Sequence, residues 1–264
     1  MVAILQFEDT KSTIGLRARK PRNGPEWELV QIFREQIVPI FEKQSAGIAI
    51  FYEPLLETGF PDMVVAEFDP RLFENWPEIR SSLKLIDLKV LQHIYGTGGT
   101  SNQMIASQLG FDGKLLQFTL DRLHNTRLIK WHSKKWKPSR LNHVFGIKRL
   151  VAIEAKIKNW ESVFYQAQVN KWFASESYVL LPIERPTAKI LQQAEKSGVG
   201  VYCCSHSGLQ QVYPSTRLPL PSSYVSWLFN EWIGRYLNSS VGLEGKNVYT
   251  RHTIHNQEST TGFV

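Results

Sequence analysis

Cysteine is almost absent from this chain of 264 residues, and its only two copies, Cys203 and Cys204, are neighbours. Adjacent cysteines bridge each other only under strain, which excludes a disulfide scaffold. The pair sits in an apolar run and suits buried thiols in a reducing compartment. Long apolar runs are also missing, and none approaches the roughly 18 residues that cross a bilayer. Residues 1–11 have no basic lead followed by a cleavage pattern, so the expectation is a cytoplasmic, intracellular protein of prokaryotic type with no membrane partner. No repeat, no low-complexity tract and no G-x-x-x-x-G-K-[ST] loop occurs, so any motor or ATPase work belongs to another chain.

Basic charge is in excess. Lys and Arg outnumber Asp and Glu by 31 to 24, a net +7 that favours polyanionic partners such as nucleic acid or an acidic membrane face. The many aromatic residues suffice for a core, and the length suits one good-sized core plus a small module.

Periodicity gives the layout. Residues 10–25 are rich in Arg, Lys, Gly and Pro and form a basic lead-in, either solvated or touching phosphates. Pro25 can open a helix whose apolar stripe is Leu29, Ile32, Phe33, Ile37, Ile40 and Phe41, with Pro39 straining or ending it. Strands are expected over 47–52 and 63–68. The character then changes: helices over 83–95, 102–109 and 113–125, then an alternating stretch, 127–137, that suits a hairpin. Afterwards strands (148–157, 178–181, 199–204, and a short one at 210–213) alternate with helices (160–174, 187–197). An aromatic helix spans 224–237, and the tail after Val241 is polar and expected to be loose. The fold class is α/β, a mixed sheet flanked by helices, with residues 1–82 and 145–264 forming the core and 83–144 a separate insertion.

Two patches carry chemistry. In Gly59-Phe60-Pro61-Asp62-Met63 an acid stands at the mouth of an apolar strand. In Ile153-Glu154-Ala155-Lys156-Ile157 an acid and a lysine interrupt another. Residues two apart in a strand share a side, so Glu154 and Lys156 project together while Ile153, Ala155 and Ile157 project oppositely. Charges on a buried strand are costly unless they pair or bind metal. Glu154 and Lys156 alone fit a salt bridge as well as a catalytic pair.

With Pro61-Asp62 added, these residues resemble the PD-(D/E)xK nuclease superfamily, the restriction-endonuclease-like fold, over about residues 25–213 apart from the insertion. The resemblance implies a divalent-metal-dependent hydrolysis of phosphodiesters. It implies Asp62, Glu154 and the backbone carbonyl of Ala155 as ligands of Mg²⁺ or Mn²⁺. It makes Lys156 the residue that orients or deprotonates water, and Gln166 a polar residue facing the site from the following helix. An acid of the first helix often completes such sites. Glu28 is the choice here, with Glu35 on nearly the same face, and Glu53 and Glu67 are weaker candidates.

Residues 83–144 resemble a winged helix-turn-helix. As its recognition helix, 113–125 offers Lys114, Gln117, Thr119, Asp121, Arg122 and His124. The wing offers Arg127, Lys130, His132, Lys134, Lys135, Lys137 and Arg140, a candidate clamp on double-stranded DNA. The alternative use of such a module is protein contact or packing. His124, His132 and His143 lack the spacing of a metal site. The leading expectation is a DNA endonuclease with its own DNA-binding insertion, similar to restriction, genome-defence and mobile-element nucleases. Two other readings stay open: a non-catalytic DNA-binding protein or regulator on a decayed nuclease core, and a nuclease subunit of a larger transposase or restriction assembly. A homodimer is a further expectation, with Tyr224, Trp227, Phe229, Trp232 and Tyr236 as either its interface or intrachain packing.

Overall fold

The computed structural model describes residues 3–7, 15–44 and 46–239. The tail after Val241 and residues 10–14 of the basic lead-in lie outside them. Seven strands form one mixed sheet: β1 (Ala3–Phe7), β2 (Gly47–Tyr52), β3 (Met63–Phe68), β6 (Ile147–Ala155), β7 (Glu176–Leu181), β8 (Gly200–Ser205) and β9 (Gly208–Tyr213). They lie in that spatial order, with β3 antiparallel to both β2 and β6, and with β6, β7 and β8 parallel. β2 and β7 are buried along their whole length. Their runs of aliphatic and aromatic residues suit strands covered on both faces. β1 was not anticipated. It is a five-residue edge strand in which Leu5 and Phe7 are buried while Ile4 and Gln6 are exposed.

Helix α1 (Pro25–Gln44) covers one face, packing Leu29, Val30, Phe33, Ile37 and Phe41 onto Ile48, Ile50, Val65 and Ile153. Of the two outcomes expected at Pro39, straining or ending the helix, ending does not occur, and the helix runs on to Gln44. An interior proline costs about 3 kcal/mol, and the burial of Phe41 beyond it offsets that cost. The opposite face is shared. Helices α6 (Trp160–Asn170) and α7 (Ala188–Ser197) pack against β7 and β8. Helix α8 (Tyr224–Asn238) packs against β2, β3 and β6 through Phe229 and Trp232. Thr187 caps α7 by accepting from the Ile190 N–H, and Gly198 ends it with a left-handed φ of 63°.

Between β3 and β6 the chain forms α2 (Leu85–Gly96), α3 (Asn102–Leu109), α4 (Gly113–Asn125), the hairpin β4 (Ile129–His132) and β5 (Lys135–Pro138), and the single turn α5 (Leu141–Val144). Ser101 caps α3, Gly110 closes it in the left-handed region, and Asp112 caps α4. The core of this segment (Leu88, Leu91, Ile105, Leu120, Leu123) is continuous with that under α8. Helix α8 is tied to both. Gln92 Oε1 accepts from Trp227 Nε1 at 2.9 Å, Arg235 Nη2 donates to Leu83 O at 2.6 Å, and Asn230 Oδ1 accepts from Gly146 N–H at 2.8 Å. Its aromatic residues Trp227, Phe229 and Trp232 are thus internal, and they are not a surface for dimerisation. No helix among the described residues is long and apolar enough to cross a membrane.

Arg80 and Glu231 form a buried ion pair that joins α8 to the approach of this segment (Nη2–Oε1, 2.5 Å). Removing one member strands a buried charge. Arg80→Met is therefore expected to cost on the order of 3–5 kcal/mol in denaturant unfolding, and Arg80→Met with Glu231→Leu to recover most of it. Equal stability of the single and double variants would contradict this account.

Candidate functional site

Because β3 and β6 are antiparallel, the start of one and the end of the other meet at the same edge of the sheet. Met63 pairs with Ile153, which places Asp62 opposite Glu154. Asp62 Oδ2 accepts from the Ala155 N–H at 2.7 Å. In extended backbone a residue's N–H and C=O leave on the same side, so the Ala155 carbonyl also faces Asp62. Glu154 is buried, and its Oε1 accepts from Asn170 Nδ2 of α6 at 2.7 Å. Asp62, Glu154, Ala155, Lys156 and Gln166 line one polar cavity of about 220 Å³, together with Arg19, Glu26 and Phe60.

Lys156 lies just past the end of β6, and its N–H donates to Leu180 O at 3.1 Å, prolonging the pairing with β7. Its Nζ is 3.0 Å from Glu26 Oε1, so its ion-pair partner is Glu26. Glu154 instead takes the Asn170 amide. Gln166 and Asn170 are one turn apart on α6 and face the same way. Gln166 thus reaches the cavity, as expected, while Asn170, which sequence reasoning missed, holds the carboxylate behind it.

Glu28 does not complete the site. It is exposed and lines a separate groove of about 560 Å³ with Leu29, Ile32 and Ile157. Glu26 stands in its place. Two residues apart on a helix is about 200° of rotation, so the two acids cannot share a face. The signal for Glu26 was its position directly after the helix-opening Pro25. Glu35 is exposed, and Glu67 pairs with Arg149. Glu53 is buried beside the site and pairs with Arg19.

Burial raises the Asp62 carboxyl above its ordinary range, with the charges of Glu53 and Glu26 adding to the effect and the Ala155 N–H opposing it. Burial raises Glu154 too, reinforced by the charge of Asp62 and opposed by the Asn170 hydrogen bond. Two desolvated carboxylates that repel each other are a donor set that a hard divalent cation relieves. Among the described residues no group of three or more His, Cys, Asp or Glu side chains is arranged to hold an ion. The backbone of Ala155 adds a carbonyl oxygen to the same cavity.

The expected DNA-reading residues divide. Lys114 on α4 and Lys134 and Lys135 on the hairpin are exposed. Gln117 Nε2 donates to Asp121 Oδ1 at 2.8 Å, and Lys137 Nζ donates to Gly98 O at 3.1 Å. Arg122 is not available to read bases. Its Nε and Nη2 donate to both carboxylate oxygens of the fully buried Asp87 at 2.9 and 2.6 Å, an attachment of α4 to α2. Thr119 is buried as well. The exposed surface of α3 and α4 carries Met104, Leu115 and Phe118. At the hairpin turn, Ser133 and Lys134 hold φ of 51° and 58°, a geometry that favours Asn and Gly. Trp131 is 51% exposed beside them, 5.0 Å from the ring of Trp136.

Comparison of the chain with known protein families, with curated proteins and with solved structures finds no match.

The raised carboxyls set a pH dependence. The folded state holds protons that the unfolded chain releases, so stability is lost as pH rises from the ordinary carboxylate range through the raised values. Asp62→Asn keeps an acceptor for Ala155 and removes the charge. In EDTA it is expected to raise the melting temperature at pH 8 by about 2–6 °C, on the order of 1–2 kcal/mol, with the gain shrinking toward pH 5. A gain independent of pH would refute the assignment.

Proposed function

We propose that this chain is a divalent-metal-dependent DNA endonuclease of the restriction-endonuclease-like, PD-(D/E)xK kind, with residues 83–144 as an inserted winged helix-turn-helix that binds DNA. The observation that carries the reading is the convergence of Asp62 and Glu154 from neighbouring antiparallel strands on one polar cavity rimmed by Lys156 and Gln166. A bound Mg²⁺ or Mn²⁺ would act there as Lewis acid and activator of water. Asp62, Glu154 and the Ala155 carbonyl would hold it.

The chain's own residues supply the rest. The Ala155 N–H fixes the rotamer of Asp62, and Asn170 fixes that of Glu154. The ammonium of Lys156, held over the cavity by Glu26, is placed to orient a water and to offset charge developing on a phosphate. The Gln166 amide offers a further polar contact from α6. Double-stranded DNA fits the basic hairpin, where Lys130, Lys134 and Lys135 are exposed around Trp131.

A second reading has its own observation. Met104, Leu115 and Phe118 present an apolar surface where a DNA-reading helix usually carries polar groups, which favours a nuclease subunit that contacts a protein partner through α3 and α4.

Supercoiled plasmid is expected to be nicked or linearised with Mg²⁺ or Mn²⁺ and left intact with EDTA. Asp62→Asn, Glu154→Gln and Lys156→Met are each expected to lose activity by about 10³-fold or more while still retarding DNA in gels. A wild type inert on every DNA form, alone and with candidate partners, would overturn the catalytic reading. For the hairpin, Lys134→Ala with Lys135→Ala should weaken duplex binding alike across sequences and reduce the slope of log K against log salt by about 1–2. An unchanged slope returns the hairpin to a packing role.

A further inference from the structure

Arg19 lines the cavity that holds Asp62 and Glu154, and the two-carboxylate motif leaves it unused. We propose that Arg19 grips the scissile phosphate and that Glu53 is its positioning residue. The inference rests on the nuclease reading and adds to it the group that seats the reacting phosphodiester.

Arg19 is held at several points. Its N–H donates to Glu53 O at 3.0 Å, Leu55 N–H donates to Arg17 O at 2.7 Å, and Ala18 bridges Pro54. Residues 17–19 are thereby stitched to 53–55. The side chain donates through Nε to Glu53 Oε2, and its guanidinium carbon lies 4.9 Å from the centre of the Phe60 ring. These contacts occupy Nε and one face of the planar group. The two terminal nitrogens have no hydrogen-bond partner among the described residues, the side chain is 46% exposed, and the residue lines the cavity. A planar fork with two free N–H edges matches two oxygens of a phosphate.

The other half of the pair is held at some cost. Glu53 is 7% exposed and adopts a φ of 40°, a region that non-glycine residues rarely enter. Its N–H donates to Asp62 O at 3.2 Å. One strained residue therefore ties the guanidinium to the backbone of the metal-binding acid, the kind of place where strain accompanies function. Three carboxylates and two cations line the cavity, and Lys156 is already paired with Glu26. Arg19, paired with Glu53 through Nε alone, adds to the Lys156 ammonium a planar fork whose terminal nitrogens can meet an anion.

The test is single-turnover cleavage of a short duplex with Mg²⁺ by wild type, Arg19→Ala, Arg19→Lys, and Arg19→Ala combined with Glu53→Gln. The combined variant guards against misfolding, because it leaves no buried unpaired carboxylate. Arg19→Ala is expected to slow the cleavage step on the order of 10²-fold. Duplex affinity in EDTA should stay near that of wild type, and added ethylguanidinium should restore part of the rate. Arg19→Lys, which keeps the charge and loses the fork, should fall between. The combined variant should melt like wild type and cleave as slowly as Arg19→Ala. Cleavage at the wild-type rate by the combined variant overturns the inference, and so does a loss that ethylguanidinium leaves untouched. Either result with an active wild type leaves the nuclease reading standing, whereas a wild type that never cuts overturns both.

Discussion

Two carboxylates that repel each other meet where β3 begins and β6 ends, Glu154 buried and Asp62 half-buried, and the surrounding architecture answers that one unfavourable contact. The antiparallel register brings Asp62 and Glu154 together. An N–H from the next strand restrains the first, and an amide from α6 restrains the second. Glu26 and Lys156 form an ion pair at the rim, half in solvent, where such pairs contribute little to stability. Their value lies in where they place an ammonium. A chain selected only for stability would put apolar residues at 62 and 154, as it does at Val64, Ala152 and Ile153.

The segment between β3 and β6 is fastened to this core by polar contacts as well as by packing. Asp87 is the centre of its own network: it accepts from the Lys84 N–H at the start of α2 and takes both donors of Arg122 from α4. Such a buried node leaves α4 firmly attached and strips it of a cation on its outer surface. Charge on this segment is concentrated instead on the hairpin, where a lysine occupies a left-handed turn position.

Much of this arrangement was legible from residue order alone, and the exceptions follow a rule. Alternation in Ile153-Glu154-Ala155-Lys156 identified which two side chains share a side, because strand geometry permits one answer. The helices expected over 102–109 and 113–125 match α3 and α4 at their observed ends, where Ser101 and Asp112 cap and Gly110 closes, because capping is local. Legibility ended where the deciding partner was distant in the chain. Arg122 looks free until Asp87 is placed beneath it. Glu28 and Glu26 differ only in which way α1 is rotated on the sheet, which its packing against β2, β3 and β6 sets. Asn170, Arg19 and Glu53 owe their places to contacts across the fold. β1 is too short for its alternation to stand out.

Helix α8 supplies a consequence of another kind, concerning the order in which a ribosome delivers the parts. Asp62, Glu154, Lys156 and Gln166 have all been synthesised by the time residue 166 is added, and the segment 83–144 earlier still. The apolar face that those parts share is covered by Trp227, Phe229 and Trp232, and its ion pair is closed by Glu231. Until α8 emerges, the nascent chain presents a half-built core and an unmatched Arg80. The two facing acids, Asp62 and Glu154, are therefore made early and locked into a rigid frame late.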